Sequence, residues 1–198
     1  SHTVSTTMPF AEIMSESRVP GTDGEAARKI SVKLYGKGAV ARGAGRAGSS
    51  NTKYYRRRAG QLIFSKLDFL NGAFAIVPPE LDGYETTLDL PAFDLSEKVN
   101  PRWLIEYLIR PEYYSRQSSL ARGQRKARRV APDDFLASPI RLAPRAMQDR
   151  IVDVLTHADR EIRAYERQLE WIVRQRRGLM QKLLAGEWRL VPEVDCGS

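Results

Sequence analysis

Eleven basic side chains stand between Arg28 and Lys66 without one Asp or Glu among them: Arg28, Lys29, Lys33, Lys37, Arg42, Arg46, Lys53, Arg56, Arg57, Arg58 and Lys66. A run that long without a carboxylate either repels itself or lies beside a polyanion, and the composition points to nucleic acid. Glycines and serines thread through it (Gly36, Gly38, Gly43, Gly45, Gly48, Ser49, Ser50), which suits loops whose backbone approaches phosphates closely. A solvated tail would carry the same charge. Strand-like apolar pieces at Ile30–Leu34 and Leu62–Phe64 bracket the run, however, and a tail lacks those.

Charge is distributed in blocks. Residues 67–106 hold eight carboxylates against Lys98 and Arg102, whereas residues 110–129 hold seven basic side chains against Glu112. The second basic block supplies Arg122, Gln124, Arg125, Lys126, Arg128 and Arg129. Gln pairs bidentately with adenine and Arg with guanine, so this is suitable chemistry for a groove-reading loop. Arg42, Arg46, Lys53, Arg56, Arg57, Arg58 and Lys66 form the other candidate group, with Tyr54 and Tyr55 as apolar or stacking contacts. Lys and Arg on phosphates supply affinity, and a few side chains at base edges supply specificity.

Catalysis has little to stand on. The two histidines, His2 and His157, lie far apart, and Cys196 is the one cysteine, so the sequence argues against a transition-metal cluster and allows no intrachain disulfide. Asn100-Pro101-Arg102-Trp103 is a loose echo of the Asn-Pro-Pro-aromatic signature of DNA adenine methyltransferases, without its second proline; a helix cap explains it. Pro132-Asp133-Asp134 opens like a nuclease metal motif, but no Asp/Glu-x-Lys follows. Phosphate-binding loops and nucleophile elbows are missing from the sequence. No apolar run approaches the ~20 residues needed to cross a bilayer, and a cytoplasmic setting is expected.

The elements that must carry these residues read as α+β. Strands are expected at Ile30–Tyr35, Gln61–Ser65, Phe74–Val77, Thr86–Leu90, Ala92–Leu95 and Ser138–Leu142, from apolar alternation or short apolar runs between turn residues. Asn100-Pro101 caps a helix with Trp103, Leu104, Tyr107 and Leu108 on its buried stripe, and Pro111 ends it or starts another turn. Pro132–Phe135 reads as a tight turn. Residues 1–19 give weak signals and are taken as a flexible or appended N-terminus, 20–143 as the recognition domain, 144–187 as one long helix and 188–198 as a tail.

That helix has a seam. Ile151, Leu155, Ala158, Ile162, Tyr165, Leu169, Ile172, Arg176, Leu179 and Leu183 follow one another at alternating gaps of four and three, and Arg176 is the one charged member. A heptad held this long specifies a coiled coil rather than a one-sided surface helix. The seam spans ~48 Å at 1.5 Å per residue, too long to hide against a domain of this size. A second helix of that length is missing from the sequence, so the partner is expected from another chain, in the first instance a second copy.

Four pieces in this order resemble the specificity subunits of type I restriction–modification systems. Residues 60–78, with Lys66 and Gly72-Ala73, resemble the strand and Gly-Ala segment of their target recognition domains; 100–114 resemble the helix that follows. Residues 118–142 look like the basic loop and closing strand, and 143–188 like the spacer helix. The resemblance implies a non-catalytic subunit that reads double-stranded DNA and directs DNA methyltransferase and nuclease subunits. S-adenosylmethionine, ATP and Mg would belong to those partners. A full subunit carries two recognition domains and two long helices; this chain has one of each, like a half-subunit. Two other readings share the charge and the seam: an assembly scaffold, and a different nucleic-acid-binding regulator dimerising through the helix.

Overall fold

The computed structural model describes residues 5–43, 52–123 and 128–188, in two units divided between Val152 and Asp153. The first is built on a four-stranded antiparallel sheet in the order β2 (Met14–Ser17), β9 (Ala92–Leu95), β6 (Leu62–Phe64), β7 (Phe74–Ile76), where β1 is Thr6–Pro9 and β3, β4, β5 and β8 are Ile30–Val32, Ala39–Ala41, Tyr55–Arg56 and Glu85–Thr86. Both faces of this sheet are covered. Leu62, Phe64, Phe74 and Phe93 point into one apolar cluster while Ile63, Ala75 and Ala92 point into the other. Alternate side chains go to opposite faces, so burial on both sides gives the unbroken apolar runs seen in the sequence.

The larger cluster is aromatic. Phe64 stacks on Phe93 at 5.5 Å and meets Phe135 edge-on at 5.1 Å, and Phe10 stacks on Phe135 at 4.5 Å. Such ring pairs add about 0.5–1.5 kcal/mol beyond burial. Helix α1 (Pro101–Leu108) closes this face with Trp103, Leu104 and Leu108; the Asn100 side chain accepts from the backbone N–H groups of Arg102 and Trp103, as its sequence position predicts. Helix α2 is the short turn Pro111–Tyr114.

Three expectations need correction. Residues 6–17 are ordered, contrary to the flexible N-terminus: β1 pairs with β12 (Pro139–Leu142), β2 joins the main sheet, and Phe10 and Ile13 between them are fully buried. β1 buries no side chain and β2 only Met14 and Ser17, so polar Thr-Thr and Ser-Glu-Ser mask them. Pro132–Ala137 is a helix, α3, not a tight turn. Pro132 sits at its first position, Asp133 and Asp134 face its positive N-terminal end, and Phe135 anchors it. The expected strand 86–90 stops at Thr86, because the Thr86 hydroxyl donates to the Leu90 carbonyl at 2.7 Å and folds 87–90 into a turn.

Helix α4 runs Arg145–Leu184, yet its first two turns belong to the first unit, beyond the expected boundary at 143. Gln148 explains this. It is fully buried, accepts from the Asn100 backbone N–H at 2.7 Å, and donates to the carbonyls of Ala143 (2.7 Å) and Lys98 (3.1 Å). Gln148→Ala strands one buried donor and two acceptors, an expected loss of about 2–4 kcal/mol, checked by urea unfolding.

Candidate nucleic-acid interface

The two basic blocks meet at Lys66. Ribbon strands β10 (Ala121–Arg122) and β11 (Arg129–Val130) pair so that Arg122 lies opposite Arg129, and the Val130 N–H donates to the Lys66 carbonyl at 3.0 Å. Two arginines directly across a strand pair repel, and each is compensated from the side. Arg122 pairs with Asp134 at 2.6 Å and Arg129 with Asp89 at 3.7 Å. Arg128 is spent differently, donating to the Ser118 carbonyl and, at 3.3 Å, to that of Ala121. Exposed ion pairs of this kind contribute roughly 0–1 kcal/mol, so a phosphate can replace Asp134 or Asp89 at small cost. Arg46, Gln124, Arg125 and Lys126 lie outside the described residues.

Along Arg56-Arg57-Arg58, which leads out of β5, the side chains alternate between exposed and buried. Arg56 and Arg58 are exposed, the latter 3.2 Å from Asp94. Arg57, a candidate DNA contact in the sequence, turns inward and is 1% exposed. Its guanidinium donates to the Thr86 hydroxyl (2.7 Å) and to the carbonyls of Ser17 (2.7 Å) and Leu90 (3.3 Å), which removes it from any phosphate. Arg42 and Lys53 are exposed; Tyr54 and Tyr55 are half-buried and lie against cations of their own chain, Lys29 at 5.4 Å and Arg57 at 5.7 Å. The tyrosines thus brace the basic surface, at about 0.5–2 kcal/mol for a half-buried pair such as Lys29 over Tyr54.

One cation was missed. Arg18 follows β2, is exposed, pairs with Glu16 at 2.7 Å, and lies within electrostatic reach of Tyr55 and Asp133. The Glu16 hydrogen bond and charge raise its pKa. A single Arg before Val-Pro-Gly gives no local signal; the Arg56 N–H donating to the Val19 carbonyl at 2.9 Å and the Pro20–Tyr55 bridge bring its segment beside the basic run.

The seam residues are all on α4. Leu155 is half-buried, and Ile151, Ala158, Ile162, Tyr165, Leu169, Ile172, Leu179 and Leu183 are exposed, with Tyr165 at 69% and Leu169 at 62%. The stripe is exposed along its length and broken by one charged member, Arg176.

No family model matches the chain, and no curated protein sequence matches it. Solved structures do. The HsdS subunit from Thermoanaerobacter tengcongensis superposes at a TM-score of 0.59 with 18% identity, covering 97% of this chain and 51% of the other. A chain from a type I R-M system, solved for its complex assembly and conformational transition, gives 0.59, 19%, 97% and 51%. The chain has the HsdS fold. It spans about half the length of the HsdS chain and of the type I R-M chain it matches. The HsdS-like architecture agrees with the α+β reading: antiparallel sheets with short helices, then one long helix. Among the described residues of this HsdS-like chain, no group of three His, Cys, Asp or Glu is placed to hold a metal, and no helix is long and apolar enough to cross a membrane.

Proposed function

We propose that this chain is a DNA-recognition half of an HsdS-type specificity subunit. Its first unit grips duplex DNA, α4 zips antiparallel to a second copy, and the assembly directs DNA methyltransferase and nuclease subunits of a type I restriction–modification system without doing chemistry itself. The observation that carries the reading is the fold likeness over 97% of the chain to one half of an HsdS subunit. The convergence of Lys66, Arg122 and Arg129, from two separate basic blocks, supports a phosphate-binding surface on that fold.

Two-fold symmetry in the protein demands two-fold symmetry in the site. Selection from random duplex DNA is expected to return an inverted repeat around an unread spacer; enrichment of nothing, or of a single ungapped motif, overturns the proposal. The paired substitution Arg122→Ala with Arg129→Ala is expected to weaken specific binding by about 10- to 100-fold, against less than about twofold for the exposed Lys98→Ala. Fluorescence anisotropy titration checks this, and equal effects would remove the site assignment.

A further inference from the structure

Resting on the reading that two copies pair through α4, we infer the register of that pairing from the seam. The helices run antiparallel about a two-fold axis at residue 167, and Arg176 of each copy packs over Ala158 of the other, between its Asp159 and Glu161.

The seam reads the same from both ends: its gaps are four and three in alternation, beginning and ending with four. Reversing the helix about its midpoint therefore lays every seam position on another. Ile151 meets Leu183, Leu155 meets Leu179, Ile162 meets Ile172, Tyr165 meets Leu169, and Ala158 meets Arg176. The smallest seam residue faces the one long cationic residue. Volume is matched in that layer, and the arginine stem can lie along the alanine while its guanidinium reaches the rim.

Other registers are worse for definite reasons. A slip by one heptad leaves two seam positions of each helix without a partner and sets Arg176 against Tyr165 or Ile151. Parallel pairing sets Arg176 against Arg176, two like charges in an apolar seam. The midpoint register offers that charge two opposite ones, Asp159 and Glu161 on either side of the seam at Ala158, whereas the slip onto Tyr165 offers Glu166 alone and the slip onto Ile151 sets Val152 and Val154 beside it. Among the described residues of its own chain Glu161 contacts His157 at 3.6 Å, on an exposed turn. The thirty residues between Val152 of one copy and its equivalent place the two points where α4 leaves the first unit ~45 Å apart along the axis.

Cross-linking of the full chain tests this, with Cys196→Ser removing the one native thiol. The double variant Ile162→Cys/Ile172→Cys is expected to give disulfide-linked dimers, while either single variant stays unlinked, because like positions are ~15 Å apart along the axis. Singles that cross-link to themselves show parallel pairing and overturn the register. So does a dimer by sedimentation in which the double variant fails to link. A monomer by sedimentation overturns the pairing itself, and the random-duplex selection then reports separately on DNA recognition. A second arm leaves the apolar layers intact. Arg176→Glu is expected to weaken dimerisation about tenfold, each contact occurring twice, and Glu161→Arg in the same chain to restore it. Absence of rescue, with Asp159→Arg tried in parallel, overturns the assigned partner charges.

Discussion

Replacing Arg57 with Met is expected to destabilise the first unit by about 2–4 kcal/mol while leaving the DNA affinity of the folded protein unchanged. The guanidinium ties three separate segments: the end of β2 through the Ser17 carbonyl, β8 through the Thr86 hydroxyl, and the 87–90 turn through the Leu90 carbonyl. Met fills much of the volume but takes the donor from the Ser17 carbonyl and from the Thr86 hydroxyl, while the Leu90 carbonyl keeps only its bond from Thr86. Lys keeps the charge without the planar fork and is expected to rescue little of the loss. Burial lowers the Arg57 pKa from the ordinary arginine value to about 10, with Glu16, Tyr55 and Asp94 pulling the other way. The residue is therefore charged at neutral pH. Its folded pKa lies below the unfolded value, so the unfolded chain binds more protons from about pH 10 up to the ordinary arginine range, and this group's contribution to stability rises with pH only there. Between pH 5 and 9 the wild-type minus Arg57→Met difference should be flat. Urea midpoints across that range check it, and a variant of native stability that binds DNA poorly would return Arg57 to the interface.

The same residue shows where sequence reading stops. Arg56, Arg57 and Arg58 are chemically identical neighbours, and only the distant Ser17 carbonyl and Thr86 hydroxyl that receive the guanidinium make the middle one structural. What was legible depended on local causes. Asn100-Pro101 is a cap whatever surrounds it, the apolar runs at 62–64 and 74–76 are long enough to require burial, and the α4 heptad is a periodicity that no loop produces. What was not legible depended on distant partners. β1 is polar and exists because β12 lies beside it; α3 needs Phe10 and Phe64 to receive Phe135. Lys66 meets Arg129 through a backbone hydrogen bond to Val130, across more than sixty residues of chain, and no composition count forecasts that.

Salt should be the most direct probe of the interface. With 6–10 phosphate contacts, duplex affinity is expected to fall by roughly 10³–10⁵ between 50 and 200 mM salt, in proportion to the cations that displace counterions. The Arg122–Asp134 and Arg129–Asp89 pairs bear on this. Each must yield its carboxylate before it takes a phosphate, and each is itself weakened by salt, so their substitution changes the slope less than an uncommitted cation does. Lys66 has no such acidic partner among the described residues, and Lys66→Ala isolates one charge. It is expected to reduce the slope of log affinity against log salt by about 0.9 if one copy grips the duplex, and by about 1.8 if two copies related by a two-fold axis share it. The slope therefore reports on phosphate contact and on pairing at once. A slope indifferent to both salt and Lys66→Ala would remove the electrostatic basis of the proposed recognition, whatever the fold.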